Sequence, residues 1–126
     1  MRLLIDIQIF IWSVMDSEKL SNRSRQIMLD VDEVFVSAAS IWEIAIKVKL
    51  GKLEGNPYKF AAAISESGFR ELLISARHAA RVSELPLFHR DPFDRLLIAQ
   101  ALSEPLRLLT SDSLLTQYSD LVVLAP

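Results

Sequence analysis

The sequence contains no cysteine, which excludes a disulfide framework, thiolate zinc sites, iron–sulfur clusters and a cysteine nucleophile. Any chemistry must use oxygen and nitrogen. Glycine is nearly as scarce, with only Gly51, Gly55 and Gly68 present. None directly follows a strand-like run, so neither a Walker loop nor a dinucleotide fingerprint can be written, and no nucleotide cofactor is expected. A large excess of one charge is missing too. With 14 Lys and Arg against 16 Asp and Glu, the formal charge is -2, not the basic footprint of a sequence-reading DNA module. An enzyme that meets nucleic acid through bound cations remains compatible with that balance. No run approaches the roughly 18 unbroken apolar residues of a membrane span. The apolar start LLIDIQIFIWSVM is interrupted by Asp6 and Gln8 and is followed by no small-x-small cleavage site, so it reads as mature cytoplasmic protein rather than a signal peptide.

What is present is a core. Hydrophobic residues make up 51% of the 126 and charged residues 24%, a balance that suits one globular domain over residues 1–126. Short continuous apolar runs at Leu3–Ile5, Val34–Val36, Leu72–Ile74, Leu108–Leu109 and Leu121–Leu124 read as strands covered on both faces. Helical periodicity fills 9–15, 22–31, 41–50, 57–67, 76–84 and 93–103. The alternation predicts an α/β three-layer sandwich around a five-stranded, mainly parallel sheet.

The acids fall at particular places in that pattern. Asp6 closes the first strand, Glu43 follows the second, and Asp112 follows the fourth. In a parallel sheet the strand carboxyl ends share one edge, where ligands of open α/β folds bind. Asp91 and Asp94 head helix 93–103, and whether that end reaches the same edge depends on a connection that the sequence does not fix. Each acid also has an ordinary reading. Ser40-x-x-Glu43 is a capping box by pattern, and Glu43 can pair with Lys47 four residues on. Asp91-Pro92 is an N-cap with proline at the first helical position, and Asp94 complements the helix dipole. Asp6 and Asp94 resist such readings because each interrupts an otherwise apolar face, where an unpaired carboxylate is costly. Two carboxylates about 4 Å apart repel by on the order of 4 kcal/mol at an effective dielectric near 20. Protonation or a cation relieves this, and oxygen ligands favour Mg²⁺ or Mn²⁺ over zinc. His89, beside Arg90 and Asp91, reads first as a surface loop residue and second as a substrate contact; composition leaves Ser-His-Asp catalysis open, though no Gly-x-Ser-x-Gly elbow is present.

At the level of motifs the chain resembles the PIN domain, and within that superfamily the VapC-like ribonuclease toxins. The resemblance rests on LLID at 3–6, SAASIWEIAIKVKLGKL at 37–53, HRDPFDRLLIAQAL at 89–102 and LLTSD at 108–112. It implies that Asp6, Glu43, Asp94 and Asp112 are catalytic acids that hold Mg²⁺ or Mn²⁺. Asp91 and the Thr110 hydroxyl would support them. It further implies RNA phosphodiester hydrolysis, a homodimer, and a cognate antitoxin that blocks the site. Arg90, Arg95, Lys47 and Lys49, with Lys52 beyond them, are candidates to guide the RNA backbone or plain solvated surface. The chain departs from the family pattern after the first aspartate: Ile7-Gln8 stands where a Thr or Ser and then a polar residue are usual. Loss of that hydroxyl opens an alternative, a catalytically weak or inactive PIN-domain protein that binds its antitoxin without turnover. Exposed-type apolar residues around Trp12 and Trp42 suit a partner helix or dimer interface. A phospho-accepting receiver domain is rejected, because the third strand ends in Ile74-Ser75 and no lysine follows Lys59.

Overall fold

Five strands order themselves β3-β2-β1-β4-β5, every neighbouring pair parallel, in a computed structural model that describes all residues from Met1 to Pro126. They are β1 (Arg2–Ile5), β2 (Glu33–Ser37), β3 (Arg70–Leu72), β4 (Arg107–Thr110) and β5 (Val122–Leu124). The helices are α1 (Ile7–Val14), α2 (Asn22–Asp30), α3 (Ala38–Lys49), α4 (Pro57–Glu66), α5 (Ala76–Arg81) and α6 (Pro92–Ser103), with short 3-10 turns at Val82–Glu84 and Ser113–Gln117. No helix is long and apolar enough to cross a membrane.

The continuous apolar runs have a simple cause. Successive side chains of a strand point to opposite faces, and here both faces are covered. Leu3, Ile5 and Leu109 pack with Phe10, Ile44 and Ile64 of α1, α3 and α4. Leu4 and Leu108 point the other way, onto Leu97, Ile98 and Ala101 of α6. Three layers result, and a polar residue at either face would be buried. Leu4 and Leu97 are 0% and 2% exposed, so truncating either to alanine costs about 2–5 kcal/mol.

Strand order reverses at β1, since β2 and β3 lie on one side and β4 and β5 on the other. A crevice opens beyond the carboxyl ends at such a switch point. Asp6 follows β1 directly and Thr110 closes β4.

Two local expectations are corrected. The third strand occupies Arg70–Leu72, paired with Phe35–Ser37, and Leu73 and Ile74 leave the sheet exposed. As an edge strand with one neighbour, β3 yields these residues to the turn that brings Ser75 to the N-cap of α5. Helix α3 begins at Ala38, three residues before the expected start, because Ser37 caps it by accepting from the Ala39 amide at 3.1 Å. Ser40 therefore lies inside the helix with no hydrogen-bond partner for its buried hydroxyl. No capping box forms with Glu43.

Candidate functional site

Asp6 is both the N-cap of α1 and the most buried acid, 4% exposed. Its Oδ1 accepts from the Ile9 amide at 2.8 Å. Its Oδ2 accepts from the Thr110 hydroxyl at 2.6 Å and the Ser111 amide at 3.2 Å. Burial nevertheless raises its pKa above the ordinary aspartate value, against the pull of those donors.

Asp91 caps α6, accepting from the amides of Phe93 and Asp94 at 2.8 and 3.2 Å, with Pro92 at the first helical position. That is the ordinary reading of Asp91, and it holds. Asp94, the third residue of the same helix, is pushed up to about 7. Burial is the largest cause, the neighbouring Asp91 carboxylate the next, and Asp6 and Glu43 add to it, while the His89 ring pulls the other way. Helix α6 thus presents its amino end to the strand-end edge, the placement that the sequence left open.

Glu43 projects from the middle of α3 and pairs with Lys47 at 3.2 Å. Its pKa is also raised, by burial first, with Asp91 and Asp6 contributing against Lys47. Asp112 closes the arc. Its amide donates to Thr110 Oγ1 at 3.0 Å and its Oδ1 accepts from the Leu114 amide at 3.0 Å, capping the 3-10 turn.

His89 is the residue that sequence reasoning missed. Its Nε2 lies 2.9 Å from Asp112 Oδ2 and 3.4 Å from Asp94 Oδ2, and its side chain is 17% exposed. It is not an idle surface group. A ring nitrogen of His89 and one oxygen each of Asp94 and Asp112 lie within 4.8 Å of one another. The available signal was its position two residues before the N-cap Asp91, where a side chain folds back over the helix start.

The basic candidates divide. Arg95 spends both terminal nitrogens on the carbonyls of Val82, Leu85, Pro86 and His89 and on the Tyr118 hydroxyl. It fastens the loop ahead of α6 instead of facing solvent, a correction to its reading as an RNA contact. Lys47 is engaged with Glu43. Arg90 and Lys49 are exposed and make no ion pair.

Behind the site lies a second missed group. Gln100 of α6 is fully buried and its Oε1 accepts from the Ser37 hydroxyl at 2.6 Å. The bond ties α6 to the start of α3, and so ties the helix of Asp94 to the helix of Glu43.

The donor set suits a hard divalent cation. Five carboxylates meet one lysine and one imidazole, and three of the five have raised pKa values, Asp6 from burial and Glu43 and Asp94 from burial and then from neighbouring carboxylates. Positive charge among them would lower the free energy of the ionised state, and oxygen donors match Mg²⁺ and Mn²⁺.

Comparison with known proteins agrees with this frame. The family profile described as PIN domain matches residues 3–121. No curated protein matches the sequence. Among solved structures, a toxin–antitoxin complex from Klebsiella pneumoniae is similar with a TM-score of 0.71 at 19% identity, over 98% of each chain. VapBC2 from Rickettsia felis, bound to a fragment of its promoter DNA, gives 0.68 at 14% identity over 98% of this chain and 97% of that one. FitAcB from Neisseria gonorrhoeae gives 0.67 at 19% identity over 97% and 96%. At these identities the likeness establishes the fold.

Proposed function

The chain belongs to the PIN-domain family, a family of nucleases, and from that premise we propose that it is a Mg²⁺- or Mn²⁺-dependent endoribonuclease serving as the toxin of a toxin–antitoxin pair. The observation that carries the reading is the convergence of Asp6, Glu43, Asp91 and Asp94 on one edge, where burial first and the neighbouring carboxylates second push Asp94 up to about 7.

In this reading Asp6, Glu43, Asp94 and Asp112 hold the cation. Bound there, a divalent ion supplies a more acidic attacking water and positive charge against the phosphate oxygens. The remaining roles fall to the chain itself. Thr110 fixes Asp6 through its hydroxyl and Asp112 through its Oγ1 acceptor. Asp91 stiffens the first turn of α6 and keeps Asp94 at the site. Arg90, Lys49 and Lys52, all exposed and outside any ion pair, are the candidates that remain for the RNA backbone. Lys47 would have to leave Glu43 to join them.

The alternative of a non-catalytic descendant rested on Ile7. Ile7 is buried in the core, and Asp6 accepts from the Thr110 hydroxyl that belongs to the family pattern in its own right. The RNA digestion below separates the two readings.

Partners follow the same reasoning. Trp42 is 59% exposed and packs edge-on against Phe93 at 5.0 Å. Apolar grooves lie on both sides of it, one formed with Ile46, Val82 and Leu96, the other with Ile41, Ala45 and Tyr58. These are the surfaces we assign to a homodimer contact and an antitoxin segment, in the cytoplasm. The test is digestion of total cellular RNA by the purified chain with Mg²⁺ or Mn²⁺ and with chelator, Asp94→Asn serving as the contamination control. Discrete metal-dependent products lost in the variant support the reading; intact RNA from folded, partner-free protein opposes it.

A further inference from the structure

We propose that His89 is a positioning residue of the carboxylate site and not one of its ligands, an inference that rests on the metal-site reading above. Proximity alone would suggest a ligand, because His89 Nε2 shares a 4.8 Å cluster with oxygens of Asp94 and Asp112. The other ring nitrogen decides otherwise.

Nδ1 of His89 lies 3.0 Å from the Asp91 amide nitrogen, which can only donate. A nitrogen that accepts a hydrogen bond carries no proton, so the proton of the neutral imidazole sits on Nε2. Nε2–H then points at Asp112 Oδ2, 2.9 Å away, with Asp94 Oδ2 at 3.4 Å. It gives its hydrogen to Asp112, lies beside the Asp94 oxygen, and has no lone pair to offer a metal. Turning the tautomer over would set two donors, the Asp91 amide and Nδ1–H, against each other.

The ring is held where this matters. The His89 amide donates to the Tyr118 hydroxyl at 2.9 Å. Arg95 donates to the His89 carbonyl and to the same hydroxyl, while anchoring the carbonyls of Val82, Leu85 and Pro86. Asp112 arrives from β4 and Asp94 from α6, and the imidazole N–H lies between an oxygen of each. It sets their relative orientation as outer partners of metal ligands do, an effect worth about 10–100-fold in affinity.

The experiment uses the full chain labelled with ¹⁵N-histidine and titrated with Mn²⁺, read by electron paramagnetic resonance. Affinity comes from the free-ion signal and coordination from nitrogen hyperfine coupling. The expected result is bound Mn²⁺ without histidine-nitrogen coupling. His89→Leu should weaken binding about 10–100-fold, and His89→Gln, whose amide can still donate, should recover much of it. Histidine coupling in the wild-type spectrum would overturn the proposal while leaving the metal site standing, and that readout does not depend on any variant folding. Unchanged Mn²⁺ affinity in folded His89→Leu would overturn it as well. Failure of the wild type to bind Mn²⁺ would remove the metal-site reading itself, and this inference with it.

Discussion

The Thr110 hydroxyl donates to Asp6 Oδ2 across 2.6 Å, joining residues 104 apart in sequence at the ends of the central strand β1 and its neighbour β4. Both partners are buried, so neither can replace the other with water. Thr110→Val keeps the shape and removes the donor, and hydrogen bonds to charged groups contribute about 1.5–3 kcal/mol. Chemical denaturation in chelator at neutral pH should show a loss within that range, with Thr110→Ser close to wild type. Equal stability of wild type and Thr110→Val would mean that Ser111 and Ile9 alone satisfy Asp6.

Asp94 gives stability a definite pH dependence. Its folded pKa, about 7, lies above its ordinary 3.8, so between those values the folded chain binds more protons than the unfolded one. This contribution is fully present below pH ~4 and is lost as pH rises through ~7. In chelator, Asp94→Asn should remove that slope and be more stable than wild type at pH ~8, by on the order of 3 kcal/mol. Calorimetric melting of both proteins from pH ~5 to ~8 measures it. A variant that melts lower than wild type at the alkaline end would mark Asp94 as a structural acid.

Divalent metal should stabilise the native state by mass action. At a hundredfold excess over the dissociation constant the gain is about 2.7 kcal/mol, which for a domain of this size is a rise in Tm on the order of 10 °C. Asp94→Asn should show little of it. No shift in the wild type at millimolar Mn²⁺ would count against the site.

The Ser37–Gln100 bond offers a test away from the acids. Gln100→Leu strands the Ser37 hydroxyl, and an unsatisfied buried group costs about 1–3 kcal/mol. Ser37→Ala removes a helix cap worth about 1 kcal/mol. Because the two share one bond, the double variant should lose less than the sum, and a double-mutant cycle on urea midpoints reads the coupling. Strict additivity would show that the bond does not couple α3 to α6.

Much of this was legible in the sequence, and the exceptions have physical reasons. The runs around Leu3–Ile5 and Leu108–Leu109 announce strands because both faces are covered, and Asp91-Pro92 announces a helix start because its chemistry is local. Asp6, Glu43 and Asp112 could be placed on one edge from strand direction alone. Ser37 and Ser40 could not be told apart as caps, since the partner that holds the Ser37 hydroxyl, Gln100, lies 63 residues away. His89 and Arg95 were misread for the same reason. Each looks like a surface residue until Tyr118 and Asp112 arrive from the far end of the chain. The third strand shifted because an edge position, with one neighbour, leaves its register to the next turn.

The measurement that bears most directly on the central claim is the chemistry of the RNA ends left by the purified chain in Mn²⁺. Water activated at a carboxylate-held cation leaves linear phosphate ends; the account predicts such ends, no 2′,3′-cyclic phosphate, and no products with chelator or with Asp94→Asn. Cyclic phosphate ends, or cleavage that persists in chelator, would contradict it.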